Sequence, residues 1–230
     1  IYNGLQDNAL GVGSMLEVAQ WILRARPARS AMFIAVAAEE QGLLGSKHFT
    51  TARNLFIHPG NFAANINLDG LHGFGEPRDY VFMGGERSPQ VQKAIDQTAA
   101  VFQIGVSPDP HPEKGYFYRS DHFNFARIGV PSVSIKDGSE YVDQPPGWGE
   151  ERYQEYLTGK YHRPADQWDE TIDFKGIEKT ARIAFLLGYL LGNEPELPAW
   201  VPGDEYEEAR KEALTDLAER AAQQSAGGGP

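Results

Sequence analysis

Between Gly11 and Arg26 the apolar residues Met15, Val18, Ala19, Ile22 and Leu23 recur three and four positions apart, and Pro27 ends the run. This spacing predicts an amphipathic helix. The next apolar stretch, Ala31–Ala38, lacks that period and contains Phe33, Ile34 and Val36; its shortness predicts a strand covered on both faces. "AANINLDG" at 63–70 and "VPSVSIKDG" at 130–138 read similarly, each closing on Asp-Gly, and "YVFMGG" at 80–85 is a fourth strand. Helices are expected over 45–54, 88–104, 120–128 and 173–192. The last opens with Asp173 as an N-cap and carries an apolar face of Ile177, Ala181, Ala184 and Leu187. Strands alternating with helices imply a largely parallel sheet between helical layers, with ligands outside the carboxyl ends of the strands.

Residues 137–160, rich in Gly, Pro and aromatics without a clear period, read either as a long loop over a site or as a surface excursion. "NEPELPAWVPGDE" at 193–205 reads as a linker or strap, followed by a charged helix over about 204–223 and a flexible Gly-rich end. The expected organisation is therefore a main domain, 1–192, and a C-terminal strap, helix and tail, 193–230.

The 230 residues suit one domain with a sizeable core. Against 32 acidic residues stand 21 Lys and Arg, a formal charge of -11 that repels phosphate backbones and anionic lipid, so nucleic acid is not an expected partner. With no cysteine, disulfides and thiolate metal sites are excluded. The apolar stretches around 31–38 and 183–191 fall short of the roughly 20 residues that cross a bilayer. Ile1-Tyr2-Asn3-Gly4 has neither a basic nor an apolar signal region, and the chain reads as a processed or truncated product.

Glu39 and Glu40 stand side by side where an expected strand meets a glycine-rich turn, and Asp69 stands at the end of another. If Asp7 joined them in one crevice, mutual repulsion would force some to protonate unless a divalent cation sat among them. Oxygen ligands alone suit magnesium or calcium; a histidine such as His162 in "GKYHRPADQWD" moves the preference toward zinc, manganese or cobalt. Taken singly, each of these acids could be a turn residue or a cap. Ser120-Asp121-His122 holds the residue types of a hydrolase triad, but consecutive residues at a helix start point in different directions. Gly11-Val12-Gly13 begins like a dinucleotide fingerprint, yet Leu16 replaces the third glycine, so close helix packing is expected. No HExxH occurs, and His48, His58, His72, His111 and His122 read as surface or packing residues.

"NGLQDNALGVGSMLEVA", "AAEEQGLLGS", "NINLDG", "YRSDHFNFARIGVPSV" and "YHRPADQWD" follow one another across residues 3–169. In order and spacing they resemble the di-zinc aminopeptidases of metallopeptidase family twenty-eight, which also includes glutamate-carboxypeptidase-like enzymes. The resemblance is strongest to secreted or periplasmic bacterial members. It implies a three-layer α/β/α sandwich with a mostly parallel mixed sheet, and a site with two zinc ions that cuts peptides with a free N-terminus. Asp7 would bridge the ions, Glu40 and His162 would complete one, Asp69 would bind the other, and Glu39 would be the general base. Arg119 could contact substrate or form a helix-start salt bridge; Tyr161 and Tyr116 could stabilise the oxyanion or be packed aromatics; Asp121 would support the site from behind or cap the helix rather than bind metal. The family's remaining zinc-ligating histidine lies on a strand before the bridging aspartate, so the resemblance implies a missing N-terminal segment of the same polypeptide. His72 could substitute for that ligand. Alternatives within the same resemblance are a noncatalytic binding domain, a zinc carboxypeptidase or a glutaminyl cyclase.

Overall fold

A computed structural model describes residues 2–52 and 57–227. Eleven regular elements matter for the site: α1 (Leu10–Ala25), α2 (Leu44–Thr51), β1 (Asn65–Leu68), β2 (Asp79–Met83), α3 (Pro89–Phe102), β3 (Gly105–Val106), α4 (His122–Arg127), β4 (Ser132–Asp137), α5 (Trp148–Gly159), α6 (Lys175–Asn193) and α7 (Glu207–Gly227). The strands form one sheet in the order β1-β4-β2-β3. β1 runs parallel to β4, with Asn65 opposite Ser132 and Leu68 opposite Ile135, and β2 runs parallel to β3. β2 and β4 are antiparallel, which makes the sheet mixed. Helices α1, α6 and α3 pack together on one face, while α4 lies on the other with α2 against it. The fold is thus an open α/β sheet with helices on both sides.

The core follows from strand alternation. Tyr80 and Phe82 of β2 and Val133 and Ile135 of β4 turn to the α6 side, where they meet Val18 and Ile22 of α1, Val91 and Ile95 of α3, and Ile183 and Leu187 of α6. Fully burying such a side chain contributes about 1.5–3 kcal/mol. The intervening residues, Val81, Met83, Ser134 and Lys136, face a cavity on the opposite side. A second aromatic cluster of Ala126, Trp200 and Tyr206 ties the 193–205 strap to that face. There Arg87 lies over the Phe117, Trp200 and Tyr206 rings and forms a fork to Asp204 at 2.7 and 3.0 Å. Buried Arg210 of α7 donates to the Phe62 and Pro198 carbonyls, holding the last helix to the same body.

Two expectations need correction. Ala31–Ala38 is not a strand: its backbone joins no ladder, and Met32 and Phe33 are exposed. Between it and the open edge of β1 lies a cleft of 1640 Å³, lined by Phe33, Ile34 and Val36 on one side and Ile66 and Leu68 on the other. A strand exists only through its neighbour, and none of the described residues fills that gap. Residues 137–160 are not one loop, because α5 occupies 148–159. Its polar composition hid it; Gln154 to Glu150 and Arg152 to Glu155 pairs run along its exposed side, while Tyr156 is buried. β2 and most of β4 are covered on both faces, as expected, although β4 alternates Ser132 and Ser134 with Val133 and Ile135. The helix expected at 45–54 appears as α2; Arg53 and Asn54 lie outside the described residues.

Candidate metal centre

Three segments meet beyond the carboxyl end of β1. The first is the turn before α1, where Asn8 donates from Nδ2 to the Leu68 carbonyl at 2.8 Å and accepts the Gly11 N–H at 3.2 Å. A Cβ at Gly11 would collide with that carbonyl and with Asn8, so this glycine serves close packing, whereas nothing crowds Gly13. The packing seats Asp7 above the strand end. The second is the Glu39–Leu43 turn, closed by bonds from the Gly42 and Leu43 N–H groups to the Glu39 carbonyl. Gly42 takes a φ of 96°, a conformation open to glycine and strained in other residues. Asn124 of α4 reaches the Leu43 carbonyl at 3.3 Å and Ser46 at 2.8 Å, fixing the turn from behind. The third is the turn after α5, which presents His162.

These segments bring Asp7, Glu40 and His162 together, each offering one ligand atom within 4.8 Å of the others. His162 Nε2 stands 2.8 Å from Glu40 Oε1 and 3.2 Å from Asp7 Oδ2. Asp69, just past β1, has Oδ2 held by the Ser120 hydroxyl, and its backbone carbonyl accepts the Lys136 ammonium. Asp69 adds its charge to the group: burial first, then Asp69 and Glu40, push the Asp7 carboxyl up to about 6. Burial, then Asp69, Glu40, Asp121 and Asp7, push Glu39 up to about 8. Carboxylates so crowded that two are lifted toward neutrality are a site short of positive charge. Two carboxylate oxygens with one imidazole nitrogen suit zinc better than calcium or magnesium. The residues present therefore fit a zinc ion.

Tyr161 stacks on His162 with ring centroids 3.7 Å apart. Burial and the charges of Asp7 and Glu40 hold its hydroxyl up at about 12, so at neutral pH it is a hydrogen-bond donor. Arg119 lies over the Tyr116 ring at 5.4 Å and faces the cavity next to the acids. Among the described residues it makes no ion pair, so the helix-start salt bridge does not form. Asp121 keeps one buried oxygen, Oδ1, unpartnered among the described residues. His72 is packed rather than gathered with Asp69: it stacks on Phe74 at 4.8 Å, meets Tyr153 and Tyr156 edge-on, and turns Nδ1 toward Asp137 at 3.8 Å.

Asp166 went unnoticed in the sequence. Nearly inaccessible, it accepts the Gln6 N–H at 3.1 and 3.2 Å and the Asp7 N–H at 3.1 Å. It thereby clamps the segment bearing Asp7 to the one bearing His162. Its signal was faint: an acid four residues after His162, inside a quoted block but with no ligand role to attract notice.

A family model described as Peptidase family M28 matches residues 2–187. Leupeptin-inactivating enzyme 1 of Streptomyces exfoliatus is 26% identical over 210 residues, covering 89% of this chain and 44% of that protein. A probable zinc metalloprotease of Pyrenophora teres f. teres (strain 0-1) is 27% identical over 207 residues, 85% of this chain and 42% of that protein. Among solved structures, BSAP, a zinc aminopeptidase from Bacillus subtilis, aligns with a TM-score of 0.61 at 20% identity, covering 90% of this chain and 45% of its own. The aminopeptidase from Aneurinibacillus sp. strain AM-1 aligns at 0.58 and 20%, covering 88% and 43%. At these identities the structural matches speak for the fold. The chain spans less than half the length of each of these proteins.

Proposed function

Because this chain belongs to peptidase family M28, we propose that, within the complete polypeptide, it hydrolyses peptide bonds as a zinc-dependent aminopeptidase. The observation that carries the reading is the convergence of Asp7, Glu40 and His162 from remote parts of the chain. In this reading Asp7, Glu40 and His162 would hold one zinc ion, and Asp7 together with Asp69 would serve a second. Bound zinc in such a site lowers the pKa of water and polarises the scissile carbonyl. Glu39, adjacent to Glu40 but outside the gathered three, is left to take a proton from the attacking water and return it to the leaving amine; a positioned base of this kind is worth about 10²–10⁴-fold. Tyr161 donates toward the developing oxyanion, and Arg119 holds substrate. The surplus of carboxylates favours a positively charged free N-terminus over a blocked one.

We further infer that a segment of the same polypeptide runs along the free edge of β1 and supplies the remaining ligand beside Asp69. The unpaired edge and the apolar cleft support this, as does the greater length of the relatives. Amides of β1 should exchange far more slowly in the complete polypeptide than in the 230-residue chain; equal exchange would remove the idea. No helix among the described residues is long and apolar enough to cross a membrane, and export to the periplasm or medium, in keeping with the bacterial members resembled, is the localisation we propose. Cell fractionation reads it directly.

The test of function is zinc content together with hydrolysis of a panel of free and blocked aminoacyl amides by the complete polypeptide. Expected are zinc-dependent turnover and a preference for free N-termini. Undiminished turnover after zinc is stripped would sink the reading.

A further inference from the structure

The side of β4 that faces away from the core carries an ammonium group with little to do. Lys136 and Ser134 line a cavity of 780 Å³ that also reaches Asp69, Tyr161 and His162, a volume within the usual range for small-ligand sites. Lys136 Nζ donates to the Asp69 carbonyl; an ammonium has three donors, and among the described residues no carboxylate oxygen lies within ion-pair reach of it. Gly70 makes room for it, since a Cβ there would stand 2.9 Å from Nζ. His122, on the same cavity wall, is 1% exposed, and among the described residues neither of its ring nitrogens has a partner. Burial holds that ring neutral, near 3, so it offers one N–H donor and one acceptor.

Most of the acids that share the cavity are already engaged. Asp79 takes the Ser107 hydroxyl at 2.5 Å and the Glu140 N–H at 2.8 Å. Asp109 accepts the His111 N–H at 2.8 Å, and Glu150 accepts Gln154 Nε2 at 2.8 Å. Asp137 gives Oδ2 to the His72 N–H at 3.3 Å, keeps a buried Oδ1 that has no partner among the described residues, and is pushed up to about 7 by burial. Asp7, Glu39, Glu40 and Asp69 belong to the metal centre. Arg119 is a second cation on the wall. Lys136 feels the charges of Asp7 and Asp137, yet among the described residues it has no ion-pair partner, and a half-sequestered ammonium in that position is stabilised by a ligand that brings a carboxylate into contact.

We propose that Lys136 makes this cavity select an acidic side chain, glutamate or aspartate, on the residue whose peptide bond is cut. The proposal rests on the aminopeptidase reading, and binding separates the two. The complete, zinc-loaded polypeptide is assayed for kcat/KM on glutamyl, aspartyl, leucyl and lysyl anilides, and for calorimetric binding of free L-glutamate and L-leucine, in wild type, Lys136→Met and Lys136→Arg, with zinc content matched. In wild type the acidic substrates should exceed the leucyl one by about tenfold or more, chiefly through KM, and glutamate should bind more tightly than leucine. Lys136→Met should reverse both orders, while Lys136→Arg keeps their sign. A leucyl preference in wild type, or a glutamate-to-leucine ratio unmoved by Lys136→Met, overturns the proposal. If no anilide is cut, the aminopeptidase reading fails, and the binding order alone decides: tighter glutamate, lost in Lys136→Met, upholds acidic selection, and equal binding refutes it.

Discussion

The two faces of β4 serve different ends. Val133 and Ile135 are fully buried against three helices. Ser134 and Lys136, one position along, line a cavity that opens on the metal centre. Successive side chains of a strand point to opposite faces, so a single six-residue element serves stability on one side and chemistry on the other. The lesson is that changes on the two faces should fall into separable classes.

On the site side, Glu39→Gln should give the largest effect, a loss of turnover of about 10²–10⁴-fold with zinc retained, because a base and not a ligand is removed. Steady-state kinetics with metal analysis checks this, and wild-type turnover would exclude Glu39 from the role. On the core side, Leu187→Ala should cost about 2–5 kcal/mol of folding stability by opening a cavity among fully buried neighbours, while zinc affinity below the unfolding transition stays as it was. Denaturant titration and zinc titration of that variant read the two halves of the comparison. If Leu187→Ala weakened zinc as much as it weakened folding, the faces would not be independent.

Asp166→Ala tests a smaller coupling within the site. Removing the carboxylate that holds the Gln6 and Asp7 N–H groups should weaken zinc by about 10–100-fold, as loss of an outer partner commonly does; competition with a chelator measures it. The smallest effect concerns pH. In the folded, metal-free protein Asp7 and Glu39 keep their protons until about pH 6 and 8, whereas their ordinary values are 3.8 and 4.5. Between those limits the folded state binds more protons than the unfolded one, so stability falls as pH rises from about 4 toward 8. The melting temperature of zinc-free protein should decline across that range, and zinc should flatten the slope. A zinc-free profile that rises instead would reverse the sign of the crowding.

Helices with a strong apolar stripe, such as α1 and α6, were legible in the sequence because periodicity reports one-sided burial directly. β1, β2 and β4 were legible from apolar residues bounded by Asp-Gly and Gly-Gly. Ala31–Ala38 misled because composition states what a segment would bury, while a strand also needs a neighbour. α5 was missed for the opposite reason: only a narrow part of it is buried, and its polar pairs carry no core signal. At the site, Asp7, Glu40 and His162 came from motif order, and the structure gathers them. Asp166 and Lys136 act through a backbone N–H pair and a backbone carbonyl, partners that one-dimensional patterns do not display.

The most direct measurement is the zinc absorption-edge spectrum of the loaded, complete polypeptide, compared with His162→Ala. Carboxylate oxygens together with imidazole scattering at about 2.0–2.1 Å are expected in wild type, with the imidazole contribution reduced in the variant. An imidazole contribution unchanged by His162→Ala would show that Asp7, Glu40 and His162 do not hold the metal.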